Sequence, residues 1–426
     1  MNAINLVFIM ASKTAILVLA VVIIVVIAAG AFYFLGAQQE ERVLKIGAIM
    51  ELTGSLARDA QVCKRGYDVW YKAVQDQGGV TIAGKKYTVE LKFYDTRSDP
   101  GQAAAAVDKA VSEGMDLLLG TYSSSNTLGA IPAINKYGIP MFAGSPESHL
   151  IPEQKSKYVF QTLLTTKESP LAFRDVIERY GIKTAALVSA NDAFSQGLAS
   201  TFRGMLNELG IQILVDEKFP VEITDLKPIM SKVAAESPDL VVVAAHPTHH
   251  ILAAKALKEL GFNPKMMIIH YGIDSPDVIE NVGPIGDGIL GLVMWRATVN
   301  YKDPIFGDVN GFLQKWREVF PDVEPDYTAV SCAATASYVV ALLQKYNIEP
   351  PLDKEEWDQI VSLATKERIE TILGPIKYSD DPEHWHVNME LVKSVLIVQF
   401  QNGKLVAVYP ENMKEAELLF PKPEWK

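Results

Sequence analysis

The chain has 426 residues, 49% of them hydrophobic and 21% charged, a globular balance on a length that exceeds one ordinary core, so two domains are expected. Its formal net charge of -11 speaks against a nucleic-acid partner, which needs a basic face to offset phosphate. An acidic surface suits a protein that must stay soluble, and a monomer is expected.

The first element is an uncharged run from Ala15 to Leu35, about 21 residues, long enough to cross a hydrocarbon core of about 30 Å as a helix. Lys13 precedes it and Gln38-Gln39-Glu40-Glu41 follows, so the positive-inside rule places the short N-terminus in the cytoplasm and the bulk of the chain outside. The run exceeds the apolar core of a typical signal peptide, which favours a retained anchor. Small residues at Ala29-Gly30-Ala31 and Gly36-Ala37 leave cleavage open as the alternative.

Leu44 to Ile49 reads as a short apolar strand, and Met50-Glu51-Leu52-Thr53-Gly54-Ser55 turns out of it toward a helix through Gly66-Tyr67-Asp68-Val69-Trp70. Gly78-Gly79, a strand from Thr88 to Tyr94, a helix through Val111 and a strand from Asp116 to Gly120 follow, and the last opens onto Thr121-Tyr122-Ser123-Ser124-Ser125-Asn126-Thr127. Another strand, Ile139 to Phe142, leads into Ala143-Gly144-Ser145-Pro146-Glu147-Ser148-His149. Strands at 184–189, 211–215, 240–245 and 266–269 then alternate with helices at 195–209, 226–235 and 251–260. Continuous apolar strands separated by helices imply two parallel sheets covered on both faces. Gly286-Asp287-Gly288-Ile289-Leu290-Gly291 fits GxGxxG, but a loop precedes it and a strand follows, so it reads as a turn rather than a dinucleotide site. Val395 to Tyr409 reads as a hairpin turning at Asn402-Gly403.

This order of elements, with the Leu52-Thr53-Gly54 loop and the Ser123-Ser124-Ser125 loop at strand ends, resembles type I periplasmic binding proteins. Within that family it is similar to the solute-binding proteins of ABC importers for branched-chain amino acids and amides. The resemblance covers nearly all of Val43 to Pro410. It implies an α/β fold of two Rossmann-like lobes with parallel sheets joined by a three-crossing hinge, preceded here by one N-terminal transmembrane helix. Residues 1–42 would be anchor and linker, 43–163 with 298–388 the first lobe, and 164–297 with 389–426 the second. A small polar solute would lie between the lobes and pass to a separate permease and ATPase. A ligand-sensing receptor domain of the same fold is the alternative. An enzyme is not expected, because the chain carries no GxSxG elbow, P-loop or HExxH motif.

The resemblance also places the site. Ser124 and Ser125 match the loop that offers donors to a ligand carboxylate, with helix capping as their other role. Ser145 falls where backbone faces the ligand, and Glu147 where amino-acid binders commonly have Thr. A carboxylate there would repel a ligand carboxylate, so either Glu147 turns outward or the solute presents a cation or donors at that point. From the other lobe, Phe194 takes the place of a common Tyr, while His270, Tyr271 and Asp274 stand near the position of an acidic residue that would hold an ammonium. Asp59 stands where an aromatic is often found. His246 lies on a cleft-edge loop, with His249 and His250 beginning a helix and facing solvent, and His384-Trp385-His386 falls in a surface loop.

No cofactor is expected, and no metal site, since the histidines lack a recognised ligand spacing. Cys63 and Cys332 are far apart in sequence. Two buried thiols are the favoured reading, with a disulfide open as the other.

Overall fold

The computed structural model describes residues 42–426, together with Val18, Ala20, Val21, Ile23, Ile24 and Val25, which are helical. The rest of the Ala15 to Leu35 run lies outside the described residues. Val43–Lys426 forms one compact unit.

The first sheet holds β1 (Val43–Met50), β2 (Val80–Ile82), β3 (Lys85–Asp95), β4 (Leu117–Gly120), β5 (Met141–Ala143) and β6 (Val159–Gln161), in the order β2-β3-β1-β4-β5-β6. Pairing is parallel from β3 to β6, and β4, β5 and β6 are buried throughout, as continuous apolar strands covered by helices must be. The antiparallel β2–β3 hairpin turns at Ala83 and Gly84, both at positive φ (51° and 75°). It begins β3 earlier than the expected Thr88. The Lys85-Lys86 pair that obscures it in the sequence sits exposed on this edge.

The second sheet holds β7 (Thr184–Ala190), β8 (Gln212–Phe219), β9 (Leu240–Ala244), β10 (Met266–Ile268) and β11 (Leu290–Val293). Two short hairpins follow, β12 (Lys302–Asp303) with β13 (Gly307–Asp308), and β14 (Ile369–Thr371) with β15 (Gly374–Ile376). The closing pair, β16 (Leu396–Gln401) and β17 (Lys404–Tyr409), completes the order β17-β16-β11-β10-β9-β7-β8. Only the β11–β16 and β16–β17 pairings in it are antiparallel, so β16 alone runs against the other strands. Asn402 and Gly403 sit at φ 51° and 74°, the left-handed angles a two-residue hairpin turn demands. The GxGxxG stretch is the turn into β11, with the Gly288 N-H donating to Phe400 O at 2.7 Å.

The chain passes between the sheets three times, after β6, after β11 and before β16. The first and third passages run side by side: Gln161 N-H donates to His386 O at 2.9 Å and Asn388 N-H to Gln161 O at 3.0 Å. His386 is therefore not on a surface loop as expected. It is buried, stacked on Phe160 with ring centroids 4.2 Å apart, and its Nδ1 lies 3.1 Å from Val159 O.

Among the described residues one helix is long and apolar enough to cross a membrane, Tyr327–Tyr346, and it is the buried core helix of the first lobe. It packs on the helix Gln61–Asp76 at Gly66, where a Cβ would come within 2.1 Å of Ala329 O. That close approach brings Cys63 and Cys332 to a Cα separation of 5.6 Å, and they form a disulfide. The favoured reading of two free thiols is thus corrected. The pairing spans 269 positions and is made by helix packing, which cysteine spacing cannot reveal.

Candidate functional site

Both parallel sheets point the C-terminal ends of their strands at one interface, so the loops after β1, β4 and β5 face those after β7, β9 and β10. Glu51, at the exit of β1, is fully buried and organises the first set. Its carboxylate accepts from Tyr122 N-H (3.0 Å), Ser123 N-H (2.9 Å) and Asn126 Nδ2 (2.9 Å). Burial outweighs these bonds and raises its pKa. Ser123 caps the helix Ser124–Tyr137 by accepting from Asn126 N-H at 3.2 Å.

Capping thus falls to neither predicted serine. Ser124 Oγ accepts from the N-H groups of Glu147 (3.3 Å) and Ser148 (3.0 Å), tying the β4 loop to the β5 loop. Ser125 Oγ accepts from Ala193 N-H at 3.2 Å and so touches the other lobe.

In the β5 loop, Ser145 and Glu147 are buried, and Ser145 Oγ and Glu147 Oε2 have no partner. Glu147 turns inward rather than outward. Its Oε1 accepts from Tyr327 O-H at 3.1 Å, and burial pushes its carboxyl up to about 8. The loop lies against the disulfide-bearing helix, since a Cβ on Gly144 would meet Cys332 Cα at 2.7 Å and Gly144 O accepts from Ser331 Oγ at 2.5 Å.

The facing lobe contributes Phe194, His246 and Tyr271, all buried. Asp192 caps the helix Ala193–Glu208 and places Phe194 at its first turn. His246 stands between Asp192 (Nε2 to Oδ2, 3.1 Å) and the Tyr122 hydroxyl (Nδ1 to O, 3.2 Å). Burial opposes its charge, but Asp192, Asp59 and Glu51 outweigh burial and raise its pKa. Burial opposes the charge of Asp192 too, yet His246 draws that carboxyl down to about 2. Tyr271 accepts from Thr328 Oγ1 at 3.1 Å and packs edge-on against Phe194, centroids 5.3 Å apart.

These groups line a narrow hollow of about 210 Å³, counting the space open to solvent, with Tyr122, Ser123, Ser124, Ser145, Pro146 and Glu147 on one side and Phe194, His246 and Tyr271 on the other. The lobes meet around it: Arg58 pairs with Asp277 at 2.7 Å, and Asp59 accepts from Thr248.

Of the predicted site residues, Ser124, Ser145, Glu147, Phe194, His246 and Tyr271 line this cavity, whereas Ser125 and Asp274 do not. Asp274 is held away by accepting from Tyr327 N-H at 2.9 Å, and its other face looks toward a separate hollow with Trp295 and Arg296. His249 and His250 do not face solvent. The inner face of the helix Pro247–Glu259 carries both into the protein, where burial holds His249 down to about 4 and His250 below its ordinary range. His270 is buried near Phe173 and Phe202. Among the described residues no group of three or more His, Cys, Asp or Glu is placed to hold a metal ion. Glu51, Tyr122 and Tyr327 were not singled out in the sequence. Tyr327 gives no local signal, since it reaches Glu147 from 180 positions away.

Comparison with known proteins gives a match to the periplasmic binding protein family over residues 43–404. A leucine-, isoleucine-, valine-, threonine- and alanine-binding protein of Pseudomonas aeruginosa is 25% identical over 249 residues, which span 58% of this chain and 65% of that protein. The Leu/Ile/Val-binding protein BraC3 of Rhizobium johnstonii is 24% identical over 378 residues, 85% of this chain and 93% of that one. Among solved structures, LivJ of Streptococcus pneumoniae, a branched-chain amino acid transporter substrate-binding protein in complex with isoleucine, superposes with a TM-score of 0.72 at 19% identity, covering 89% of this chain and all of that one. An ABC-transporter solute-binding protein of Rhodopseudomonas palustris in complex with 3,4-dihydroxybenzoic acid gives 0.71 at 20% identity, covering 90% and 98%.

Proposed function

The chain belongs to the periplasmic binding protein family, and from that premise we propose that it is the substrate-binding component of an ABC importer. It captures a small polar solute, an amino acid, an amide or a related molecule, between its lobes and delivers it to a permease driven by an ATPase. The Ala15 to Leu35 run holds it at the membrane as a single-pass anchor with the lobes outside.

One observation carries the binding role: Ser145 Oγ and Glu147 Oε2 are buried and unpartnered in the wall of a hollow between two lobes. A buried polar atom without a partner costs free energy that a bound solute recovers. The named relatives support the class of solute, since the Pseudomonas and Rhizobium proteins are both named for binding leucine, isoleucine and valine, the former also for threonine and alanine, and the Rhodopseudomonas protein holds an aromatic acid.

A thermal-shift screen of Val43–Lys426 against small amines, amides, amino acids and carboxylic acids tests it. A solute at 100 times its dissociation constant adds about 2.7 kcal/mol of apparent stability. The expected result is a rise in midpoint with one solute class. No rise with any class would remove the binding role from this cavity.

A further inference from the structure

Several donors of the cleft loops are already engaged within the protein. The N-H groups of Tyr122 and Ser123 are spent on Glu51, and those of Glu147 and Ser148 on Ser124 Oγ, so these donors of the two cleft loops are turned inward, away from an anionic ligand. What faces the cavity unpartnered is a carboxyl oxygen, Glu147 Oε2, beside the Ser145 hydroxyl. Around them stand the rings of Tyr122, Phe194 and Tyr271, whose faces attract a cation. The histidine in the same wall, His246, is already engaged by Asp192 and Tyr122.

We propose that the solute is an organic cation, a protonated or alkylated amine with no carboxylate beside its nitrogen, and that Glu147 is its counter-ion within the aromatic wall. This rests on the cleft being a binding site, as argued under Proposed function, and narrows its ligand to one class. An apolar body of a few carbons would lie toward Phe194 and Tyr271.

The groups facing Glu147 are the hydroxyl of Tyr327 from the helix Tyr327–Tyr346, Tyr271 from the β10 loop, His246 from the β9 loop, and Tyr122 and Ser124 from the β4 side. Of these only Tyr327 donates to its carboxyl in the structure. Burial therefore favours the neutral acid in the empty cleft, and an entering ammonium would draw the proton off and form an ion pair. Amine affinity should then rise by up to about tenfold per pH unit below about 8, with a proton released on binding.

Matched sets on one skeleton separate the classes: isopentylamine, isovaleramide, isovalerate and leucine, and likewise benzylamine, benzamide, benzoate and phenylglycine. Each is titrated calorimetrically into Val43–Lys426 at pH 6 and pH 8. The expected result is that an amine binds at least tenfold tighter than the other members of its set, tighter still at pH 8. Glu147→Gln should lose at least tenfold, while Glu147→Asp keeps part of the affinity and both variants melt cooperatively. Tighter binding of an acid, amide or amino acid, affinity that falls with rising pH, or an unchanged Glu147→Gln would overturn the cation assignment and leave the binding role standing. Silence from every member of every set would overturn both.

Discussion

Asp59 and Thr248 stand on opposite lobes and are joined twice: Asp59 Oδ1 accepts from Thr248 N-H at 3.2 Å and from Thr248 Oγ1 at 2.8 Å. The contact is buried at Asp59 and lies beside the His246 wall of the cavity. It belongs to the closed arrangement alone, since both partners would be hydrated if the lobes parted.

Asp59→Ala should therefore shift the protein toward open forms. A hydrogen bond to a charged group contributes about 1.5–3 kcal/mol, enough to change the closed-to-open ratio by about tenfold to a hundredfold. Small-angle scattering of the ligand-free unit should show a larger mean radius of gyration for the variant. Superimposable profiles would mean that Arg58 with Asp277, or the hinge itself, holds the lobes together without Asp59.

Glu147 makes the ligand-free protein sensitive to alkaline pH. Its folded pKa, about 8, lies above the ordinary 4.5, so the folded state holds this proton more tightly than the unfolded chain. The sign follows: its contribution to stability is fully present below about 4.5 and is lost as pH rises toward 8. Glu147→Gln cannot ionise and should lose less stability than the parent between pH 5 and pH 8 in denaturant titrations. Equal losses in the two proteins would show that Glu147 is already paired or solvated in the empty cleft.

The Cys63–Cys332 disulfide clips the helix Gln61–Asp76 to the core helix behind the β5 loop. Its removal by Cys63→Ala with Cys332→Ala should cost about 2–4 kcal/mol. Thermal unfolding of the parent with and without reductant should reproduce the drop, and thiol titration of the unreduced, unfolded chain should find no free cysteine. Two reactive thiols there would return the pair to the reduced state.

The fold was legible because its signals are local. Apolar runs such as Leu240 to Ala244 between amphipathic helices can only be strands covered on both faces, and Asn402-Gly403 between two apolar runs can hardly be anything but a tight turn. The loops that carry Ser124, Ser145, Glu147, Phe194, His246 and Tyr271 follow from the same logic, since strand ends in parallel sheets gather at one edge. Which way each side chain turns on those loops was decided by contacts between distant segments. Glu147 points inward because Tyr327 and Ser124 hold its loop, Asp274 leaves the cavity because it binds the N-H of Tyr327, and His250 is buried because the inner face of its helix meets the core. Cys63 meets Cys332 because Gly66 lets two helix backbones touch. Periodicity and turn chemistry fix which elements form, while the direction of a loop side chain and the pairing of remote residues depend on packing that exists only once both lobes have assembled.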